Sequence, residues 1–330
     1  MRISQEANSI PAQDLEMPLA KAVEGIPGFV PFPDARGIPE DSSEKFSTYS
    51  WVVAGFPLWS PLRVLLRFTC AVLWIALCYV AFGVASALLL VSKPMGRSVR
   101  KTISRLWIYG MRGILGIRIK WMGQPPSSPY IMVCNHLSWQ DLFVMNCLCD
   151  VSCVVQAEDE KLPFVGTILT GMRPIFHRRT RENVFQTIEQ MVEAIRQGRN
   201  LLFAPEGVVG PGREVRRFHA ALLDAAIQTR RPVHYLSLTY RTPKGCPPPS
   251  KAALFGPDPF LRTPDGRIPE SELEAWGPER SFLTHFLGVL ALPWHEVIVR
   301  FAGDPISATD RVTLANRLRE NIQSIFIPVE

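Results

Sequence analysis

Hydrophobic and polar positions divide the chain into three stretches of different character. The first is rich in proline, glycine, serine and acidic residues and has little hydrophobic period, which is typical of a flexible tail. The second contains an uncharged apolar run, and in the third short apolar runs alternate with longer amphipathic segments. These patterns predict a flexible N-terminal tail over 1–56, membrane-anchoring and interfacial helices over 57–116, and a folded domain over 117–330.

The uncharged run from Phe68 to Ser92 predicts a membrane helix. About 25 helical residues extend roughly 37 Å, which is enough to cross a hydrocarbon core of about 30 Å. An in-plane or re-entrant helix, flanked by Trp51, Trp59 and Arg63, is an alternative. A buried helix of a soluble domain is a further alternative, and it is the least favoured of the three.

Positive charges follow the apolar run more densely than they precede it. The following cations are Lys93, Arg97, Arg100, Lys101, Arg105 and Arg112, and the preceding ones are Lys45, Arg63 and Arg67. This imbalance predicts that the C-terminal side faces the cytoplasm, as expected for an inner-membrane protein. The net charge of +6 also suits nucleic acid or anionic ligands, but no nucleic-acid motif accompanies it. We therefore expect membrane lipids, and not nucleic acid, as partners.

The third stretch predicts an α/β fold, in which a mostly parallel sheet is flanked by helices and preceded by the N-terminal membrane helix. The strand-like runs are 117–121, 130–134, 151–155, 174–177, 200–203, 233–240, 251–255 and 295–301. The helix-like runs are 138–149, 181–197, 217–229, 281–291 and 307–325. Residues 241–250 and 256–280 are dense in proline and glycine and predict surface insertions.

The cysteines and histidines give no sign of a metal site. The seven cysteines are an odd number, and most lie in apolar runs, so we expect reduced thiols. Cys147 and Cys149 lack a second pair at zinc-site spacing, and the histidines outside the motif described next have no ligand-like spacing. We expect no catalytic metal.

Candidate chemistry appears directly after the second strand-like run, where His136 and Asp141 lie five residues apart. A histidine takes a proton near neutral pH, and a fixed carboxylate orients the imidazole and stabilises its cation. Ser138 and Asp141 also fit a capping box at a helix start, so a purely structural role is an alternative. A serine-hydrolase triad of Ser138, His136 and Asp141 is disfavoured, because no Gly-x-Ser-x-Gly elbow surrounds the serine.

Three later segments complete a recognisable pattern. The segment 171–179 ends in a basic pair that includes Arg178, the segment 200–207 ends in Pro205-Glu206-Gly207, and a third begins at Arg231. In order and spacing, they and the His-x4-Asp motif resemble the four blocks of the glycerolipid acyltransferases, typified by lysophosphatidic acid acyltransferases. The resemblance covers roughly residues 117 to 325.

The resemblance implies an acyltransferase catalytic domain in which His136 is the base and Asp141 orients it. It further implies that Arg178, Glu206 and Gly207 bind a lyso-lipid acceptor. The acyl donor would be acyl-CoA or acyl carrier protein, with no other cofactor, because a thioester is already activated. A lipid hydrolase or thioesterase, and a binding protein without activity, are the competing functions. The inactive protein is disfavoured because both motif residues are present.

The sequence departs from the family pattern in its third and fourth blocks, and the third is one of the two blocks that bind the acceptor in the family. Ala204 separates Phe203 from Pro205 where the family usually has Phe-Pro-Glu-Gly, and Tyr235 stands where the fourth block usually has a second proline. Lysophosphatidic acid is the expected acceptor, and a lyso-aminolipid such as lyso-ornithine lipid is the alternative.

Overall fold

A seven-stranded mixed sheet forms the centre of the described part of the chain. The structure is a computed structural model that describes residues 60–161, 165–178, 180–256, 267–276 and 281–329. The strands are Ile117–Met122 (β1), Ile131–Cys134 (β2), Ser152–Gln156 (β3), Ile175–His177 (β4), Leu201–Phe203 (β5), Val233–Arg241 (β6) and His295–Phe301 (β7). Their spatial order is β1-β7-β6-β2-β5-β3-β4.

Five neighbouring strands run in one direction and two run in the other. β6, β2, β5, β3 and β4 are parallel, whereas β7 is antiparallel to β6 and β1 is parallel to β7. All four residues of the central strand β2 are buried, because helices cover both faces there. The carboxyl ends of five strands consequently share one edge of the sheet.

Helices precede the sheet and connect its strands. They are Ser60–Val91 (α1), Lys93–Leu115 (α2), Asp141–Leu148 (α3), Val165–Leu169 (α4), Arg181–Arg196 (α5), Asp224–Thr229 (α6), Pro249–Ala252 (α7), Glu270–Trp276 (α8), Phe282–Ala291 (α9) and Arg311–Ile325 (α10). Short 3-10 turns lie at Ala157–Lys161, Thr170–Met172 and Ala221–Leu223. The predicted α/β fold with a mostly parallel sheet is confirmed.

Two predicted elements differ from the observed ones. The apolar run 251–255 is not a strand, since residues 249–252 form α7 with Pro249 in its first turn, where a proline's missing N–H costs nothing. Within the predicted insertion 256–280, the described residues 270–276 form the helix α8, which begins at Glu270 and whose Trp276 is buried.

Three predicted helices begin later than expected, because hydrogen bonds of the residues at or before their start fix a different backbone path. α10 begins at Arg311, since the Asp310 carboxylate caps it by accepting the backbone N–H groups of Val312 and Thr313. Residues 217–220 do not begin a helix, because the His219 N–H donates to the carbonyl of Pro205. The start of α3 is treated with the site below.

α1 and α2 form an antiparallel helical hairpin joined at Ser92. Trp74 of α1 donates its indole N–H to the carbonyl of Trp107 in α2, 3.2 Å away. Gly110 lies so close to Trp74 that a Cβ there would stand 2.2 Å from the indole. α1 is long and apolar enough to cross a membrane. The predicted tail over 1–56 lies outside the described residues, and the three-part division of the chain stays a prediction.

Candidate active site

The predicted site residues follow three strands whose carboxyl ends share one edge of the sheet. His136 follows β2, Glu206 follows the adjacent strand β5, and Arg178 follows β4 at the end of the sheet. At about 4.8 Å per strand, the ends of β2 and β4 are roughly 14 Å apart. His136 and Glu206 are therefore neighbours, and Arg178 lies farther along the same edge.

His136 and Asp141 are in direct contact. Nδ1 of His136 lies 2.9 Å from Oδ2 of Asp141. The histidine side chain is 29% exposed and the carboxylate 8%, so the ring reaches the surface while its partner is enclosed. An ionised carboxylate only accepts hydrogen bonds, so Nδ1 donates and Nε2 carries the lone pair. This is the tautomer that a general base at the surface requires.

The Asp141 carboxylate accepts hydrogen bonds from its own loop and from β6, a strand that is distant in sequence. Oδ2 also accepts the backbone N–H groups of Leu137 at 2.9 Å and Ser138 at 3.1 Å. Oδ1 accepts the phenol O–H of Tyr240 at 2.7 Å. These four hydrogen bonds fix the orientation of the carboxylate toward His136.

The capping box predicted for Ser138 and Asp141 forms only in part. The Ser138 N–H donates to Asp141, but the Ser138 hydroxyl donates to the carbonyl of Ala253 at 3.2 Å, and α3 begins only at Asp141. Gln140 binds the same carbonyl through its amide at 2.8 Å. The loop 137–140 is thus drawn toward α7 and is not part of the helix, which is why the predicted helix start at 138 was wrong.

Glu206 is buried beside the backbone of His136. It is 2% exposed, and its Oε1 accepts the His136 N–H at 3.0 Å. Its Oε2 accepts the Arg216 N–H at 3.3 Å. Burial raises the pKa of Glu206 to about 7, although both backbone donors and the charges of His136 and Arg216 act in the opposite direction.

The loop after β5 encloses the other side of His136. The Gly210 N–H donates to the His136 carbonyl at 2.8 Å. Gly207 has φ +70°, and a Cβ at this position would approach the His219 ring to 3.3 Å, so a glycine suits both constraints. Arg216 anchors the loop through a two-pronged ion pair with Glu272, at 2.9 and 2.7 Å.

Arg178 is exposed where β4 ends, and its backbone carbonyl accepts the N–H of Thr180 at 2.8 Å. An exposed guanidinium is available to an anionic ligand and offers two parallel donors. The geometry of the described residues therefore brings His136, Asp141 and Glu206 together and leaves Arg178 at a distance from them.

An aromatic cluster adjoins the site. Trp139 donates its indole N–H to Nε2 of His285 at 3.0 Å and makes edge contacts with Phe143 and Phe282 at 5.6 and 5.5 Å between ring centroids. The His285 side chain is buried, as expected for a structural histidine. The cluster links the loop after β2 to α9.

Sequence reasoning missed two buried residues of the site. Tyr240 is predicted only as the last residue of the strand-like run 233–240, and Asn135, which directly precedes His136, has no predicted role. The Asn135 amide donates to the Leu238 carbonyl at 3.0 Å and accepts the Leu238 N–H at 2.7 Å, which ties the end of β2 to β6. A tyrosine ending a strand-like run is a usable signal, since a buried phenol usually has a hydrogen-bond partner.

Among the described residues, no three or more histidine, cysteine or acidic side chains lie together so that they could hold a metal ion. All seven cysteines are described and are free thiols.

Comparisons with known proteins are consistent with this arrangement. Residues 118–239 match the family model described as Acyltransferase. The chain is 27% identical to a lyso-ornithine lipid O-acyltransferase of Pseudomonas aeruginosa, over 61% of this chain and 77% of that protein. It is 29% identical to a 1-acyl-sn-glycerol-3-phosphate acyltransferase of Neisseria gonorrhoeae, over 36% of this chain and 48% of that protein.

A solved structure shares the fold. It is the crystal structure of the 1-acyl-sn-glycerophosphate (LPA) acyltransferase PlsC from Thermotoga maritima. The TM-score is 0.50 at 17% identity, and the match covers 81% of this chain and 97% of that chain. The match extends well beyond residues 118–239.

Proposed function

Because the chain belongs to the acyltransferase family, we propose that it transfers a fatty acyl group from a thioester donor to the hydroxyl of a lyso-lipid. The observation that carries the proposal is the contact of 2.9 Å between Nδ1 of His136 and Oδ2 of Asp141, with the histidine ring reaching the surface. Acyl-CoA and acyl carrier protein are the two donor carriers that this chemistry accepts.

Direct transfer suits the groups around His136. Nε2 takes the proton of the acceptor hydroxyl, whose oxygen attacks the thioester carbonyl carbon. The tetrahedral intermediate then expels the thiolate, which receives the proton from the imidazolium. A new ester bond and a free thiol result, and His136 returns to its neutral form. Asp141 stabilises the imidazolium during the step.

The nucleophiles nearest to His136 in sequence are enclosed by the fold. The Ser138 side chain is fully buried, and its hydroxyl donates to the Ala253 carbonyl. Cys134 is also buried, and burial together with Asp141 raises the pKa of its thiol well above its usual range. A protonated, enclosed thiol is a poor nucleophile, which favours direct transfer over an acyl-enzyme intermediate.

The acceptor is an anionic lyso-lipid in this proposal, and Arg178 pairs with its phosphate or carboxylate. Lysophosphatidic acid is the first candidate, in keeping with the Neisseria protein. Lyso-ornithine lipid is the second, and the match to the Pseudomonas protein, which is longer than the Neisseria match, supports it as well. Both acceptors have a free hydroxyl that His136 would deprotonate, so the same step serves either.

Membrane association fits the hairpin, and we place the enzyme at the cytoplasmic face of the inner membrane. Both halves of α1 contact the domain that contains the sheet, since Arg67 donates to the Leu292 carbonyl and Phe82 lies beside Gly171. In α2, Arg100 donates to the hydroxyl of Thr170 at 2.7 Å. A hairpin tied to one domain through both halves of α1 favours the in-plane arrangement over a single crossing. Its cations suit the anionic lipids of the cytoplasmic leaflet.

An acyl-transfer assay tests the function. Membranes that contain the full chain are supplied with labelled acyl-CoA or acyl carrier protein and with lysophosphatidic acid or lyso-ornithine lipid. We expect a diacylated product with at least one acceptor. His136→Ala should lower turnover about 10²- to 10⁴-fold, the usual loss for a positioned base. Ser138→Ala is the control and should keep its activity, with a loss of only about 1 kcal/mol in stability.

Two further readouts separate the alternatives. Release of free fatty acid without acceptor would identify a hydrolase, and near-normal turnover by a folded His136→Ala variant would contradict the mechanism. Arg178→Ala should raise the acceptor KM about 10- to 100-fold, the loss expected for a charge-assisted hydrogen bond, and change the donor KM less. Equal changes in both would count against the role of Arg178.

A further inference from the structure

Tyr240 joins the loop after β2 to the adjacent strand β6. It lies 99 residues from Asp141 in sequence, yet its phenol O–H donates to Oδ1 of Asp141 at 2.7 Å. The side chain is completely buried at the end of β6, beside the antiparallel strand β7. The other carboxylate oxygen, Oδ2, faces His136. One oxygen thus contacts the base, and the other is held by Tyr240.

The surroundings keep the phenol in its donor form. Burial, followed by the neighbouring Asp141, raises the pKa of Tyr240 well above its usual range. The ring of His295 is stacked on that of Tyr240, with centroids 6.1 Å apart and an interplanar angle of 14°. Burial lowers the pKa of His295 to about 3, so this ring is neutral at physiological pH. The Cys134 thiol near Asp141 is also protonated, because burial raises its pKa.

We propose that Tyr240 is a positioning residue for acyl transfer, which acts by holding Oδ1 of Asp141 so that Oδ2 faces Nδ1 of His136. The O–H group also withdraws part of the carboxylate's charge from His136. Tyr240 therefore sets both the orientation of the base and the stability of its protonated form. The proposal rests on the proposed role of His136 as the base.

Replacement of Tyr240 by phenylalanine separates this role from ordinary packing. The ring remains, but Oδ1 loses a hydrogen bond inside the protein. The carboxylate is then less well oriented, and we expect kcat to fall about 10- to 100-fold, as for other lost hydrogen bonds to charged groups. Its charge is less compensated, so His136 should hold its proton up to about one pH unit higher.

The experiment compares Tyr240→Phe with Tyr235→Phe in the full-length protein. Tyr235 lies on the same strand, and its phenol contacts Oδ1 of Asn321 at 3.3 Å, away from the catalytic pair. Each variant is assayed for kcat, for the KM of both substrates and for the pH dependence of kcat/KM. The titration of the His136 imidazole is followed by NMR. We expect a lower kcat, little change in either KM and an upward shift of the titration in Tyr240→Phe alone.

Two outcomes would overturn the proposal. The first is a Tyr240→Phe protein whose His136 titration matches that of Tyr235→Phe. This readout needs no acyl transfer, so it is distinguishable from failure of the proposed function, which would appear as an inactive wild-type protein. The second outcome is that the effects of Tyr240→Phe and Asp141→Asn on kcat are additive in the double variant. Since Tyr240 acts through Asp141, Tyr240→Phe should cost less than about threefold in that background, and the full cost there would contradict the proposal.

Discussion

At the scale of single residues, Glu206 connects the loop after β2, which contains His136, to the loop after β5. Its carboxylate accepts one backbone N–H from the His136 loop and one from the loop after β5. The Gly210 N–H, which lies in the loop after β5, donates to the His136 carbonyl. Burial of a carboxylate is unfavourable unless donors compensate for the lost water, and these N–H groups supply part of the compensation. Glu206 is thereby suited to hold the backbone of the base as well as to meet an acceptor.

The substitution Glu206→Gln tests which role dominates. A glutamine keeps one oxygen but presents an NH2 group where the carboxylate accepted a second N–H. We expect the free energy of unfolding to fall by about 1–3 kcal/mol, the cost of an unsatisfied buried group. Because a small displacement of a base slows transfer, kcat should fall about tenfold or more. Urea unfolding and steady-state kinetics measure the two effects.

Glu214→Gln is the matched control, since Glu214 is exposed on the same loop. This variant should behave as the wild type does. If Glu206→Gln instead kept its kcat and stability but raised the KM of the acceptor alone, direct contact with the acceptor would be its main role.

At the scale of elements, α1 binds the end of α9 through two arginines. Arg63 donates to the Ala291 carbonyl at 2.8 Å, and Arg67 donates to the carbonyls of Leu292 at 2.6 Å and Pro293 at 3.0 Å. The last carbonyls of a helix lack partners within it and carry partial negative charge, so cations are favoured there. These arginines are bound to the carbonyls at the end of α9 and need not be counted as flanking charges of a membrane span.

The outer face of α1 is a stripe of exposed apolar side chains. Leu66, Leu73, Leu77 and Val80 are each 62–64% exposed. An apolar surface of this extent is unusual on a soluble monomer and fits the acyl region of a membrane. We expect Leu73→Asp/Leu77→Asp to release much of the protein from membranes, since burial of each leucine contributes about 1.5–3 kcal/mol.

Flotation of lipid vesicles with bound protein measures the effect. Val312→Asp is the control, because Val312 is also an exposed apolar residue but lies on α10. It should leave vesicle binding unchanged, and equal loss in both proteins would exclude a specific role for the α1 stripe. A reporter fused after Glu330 should be cytoplasmic in intact cells, and its cleavage by external protease would reverse the assigned orientation.

Elements could be predicted where the local pattern determines the structure. β2 is a continuous apolar run bounded by polar residues, and its bounds differ from the prediction by one residue. The run 251–255 is equally apolar, but short runs of this kind do not distinguish a strand from a buried helix. The late starts of α3 and α6 depend on contacts of residues 138–140 and 219 with other loops, which a local pattern does not contain.

At the scale of the whole molecule, the sequence motifs predicted only those site residues that belong to the motifs. His136 and Asp141 follow β2, and Glu206 follows the adjacent strand β5. The resemblance to the four acyltransferase blocks was sufficient to group them. Tyr240 reaches Asp141 because β6 is parallel to β2 with Cys134 opposite Leu236. This register is a property of the assembled sheet. The antiparallel pairing of β6 with β7, which brings His295 beside Tyr240, likewise has no local signal.

Two buried groups of the assembled site change the free energy of unfolding with pH in opposite directions. The pKa of His295 falls to about 3 in the folded protein, so between pH 3 and about 6.5 only the unfolded chain binds its proton, and stability rises with pH. The pKa of Glu206 rises to about 7, so between about 4.5 and 7 only the folded state binds its proton, and stability falls with pH. From about pH 4.5 to 6.5 the two contributions oppose each other.

Single substitutions should therefore reveal pH dependences of the unfolding free energy that cancel each other in the wild type. Relative to the wild type, we expect the unfolding free energy of Glu206→Gln to rise with pH between 4.5 and 6.5, because the falling contribution of Glu206 is removed. That of His295→Phe should fall over the same interval. Each difference approaches about 1.4 kcal/mol per pH unit, the limit for one proton. Urea unfolding at half-unit steps of pH measures both, and comparison with the wild type cancels groups common to all three proteins. A variant with no slope relative to the wild type would show that the substituted group has the same pKa in the folded and unfolded states, and the enclosed environment inferred for that group would then be wrong.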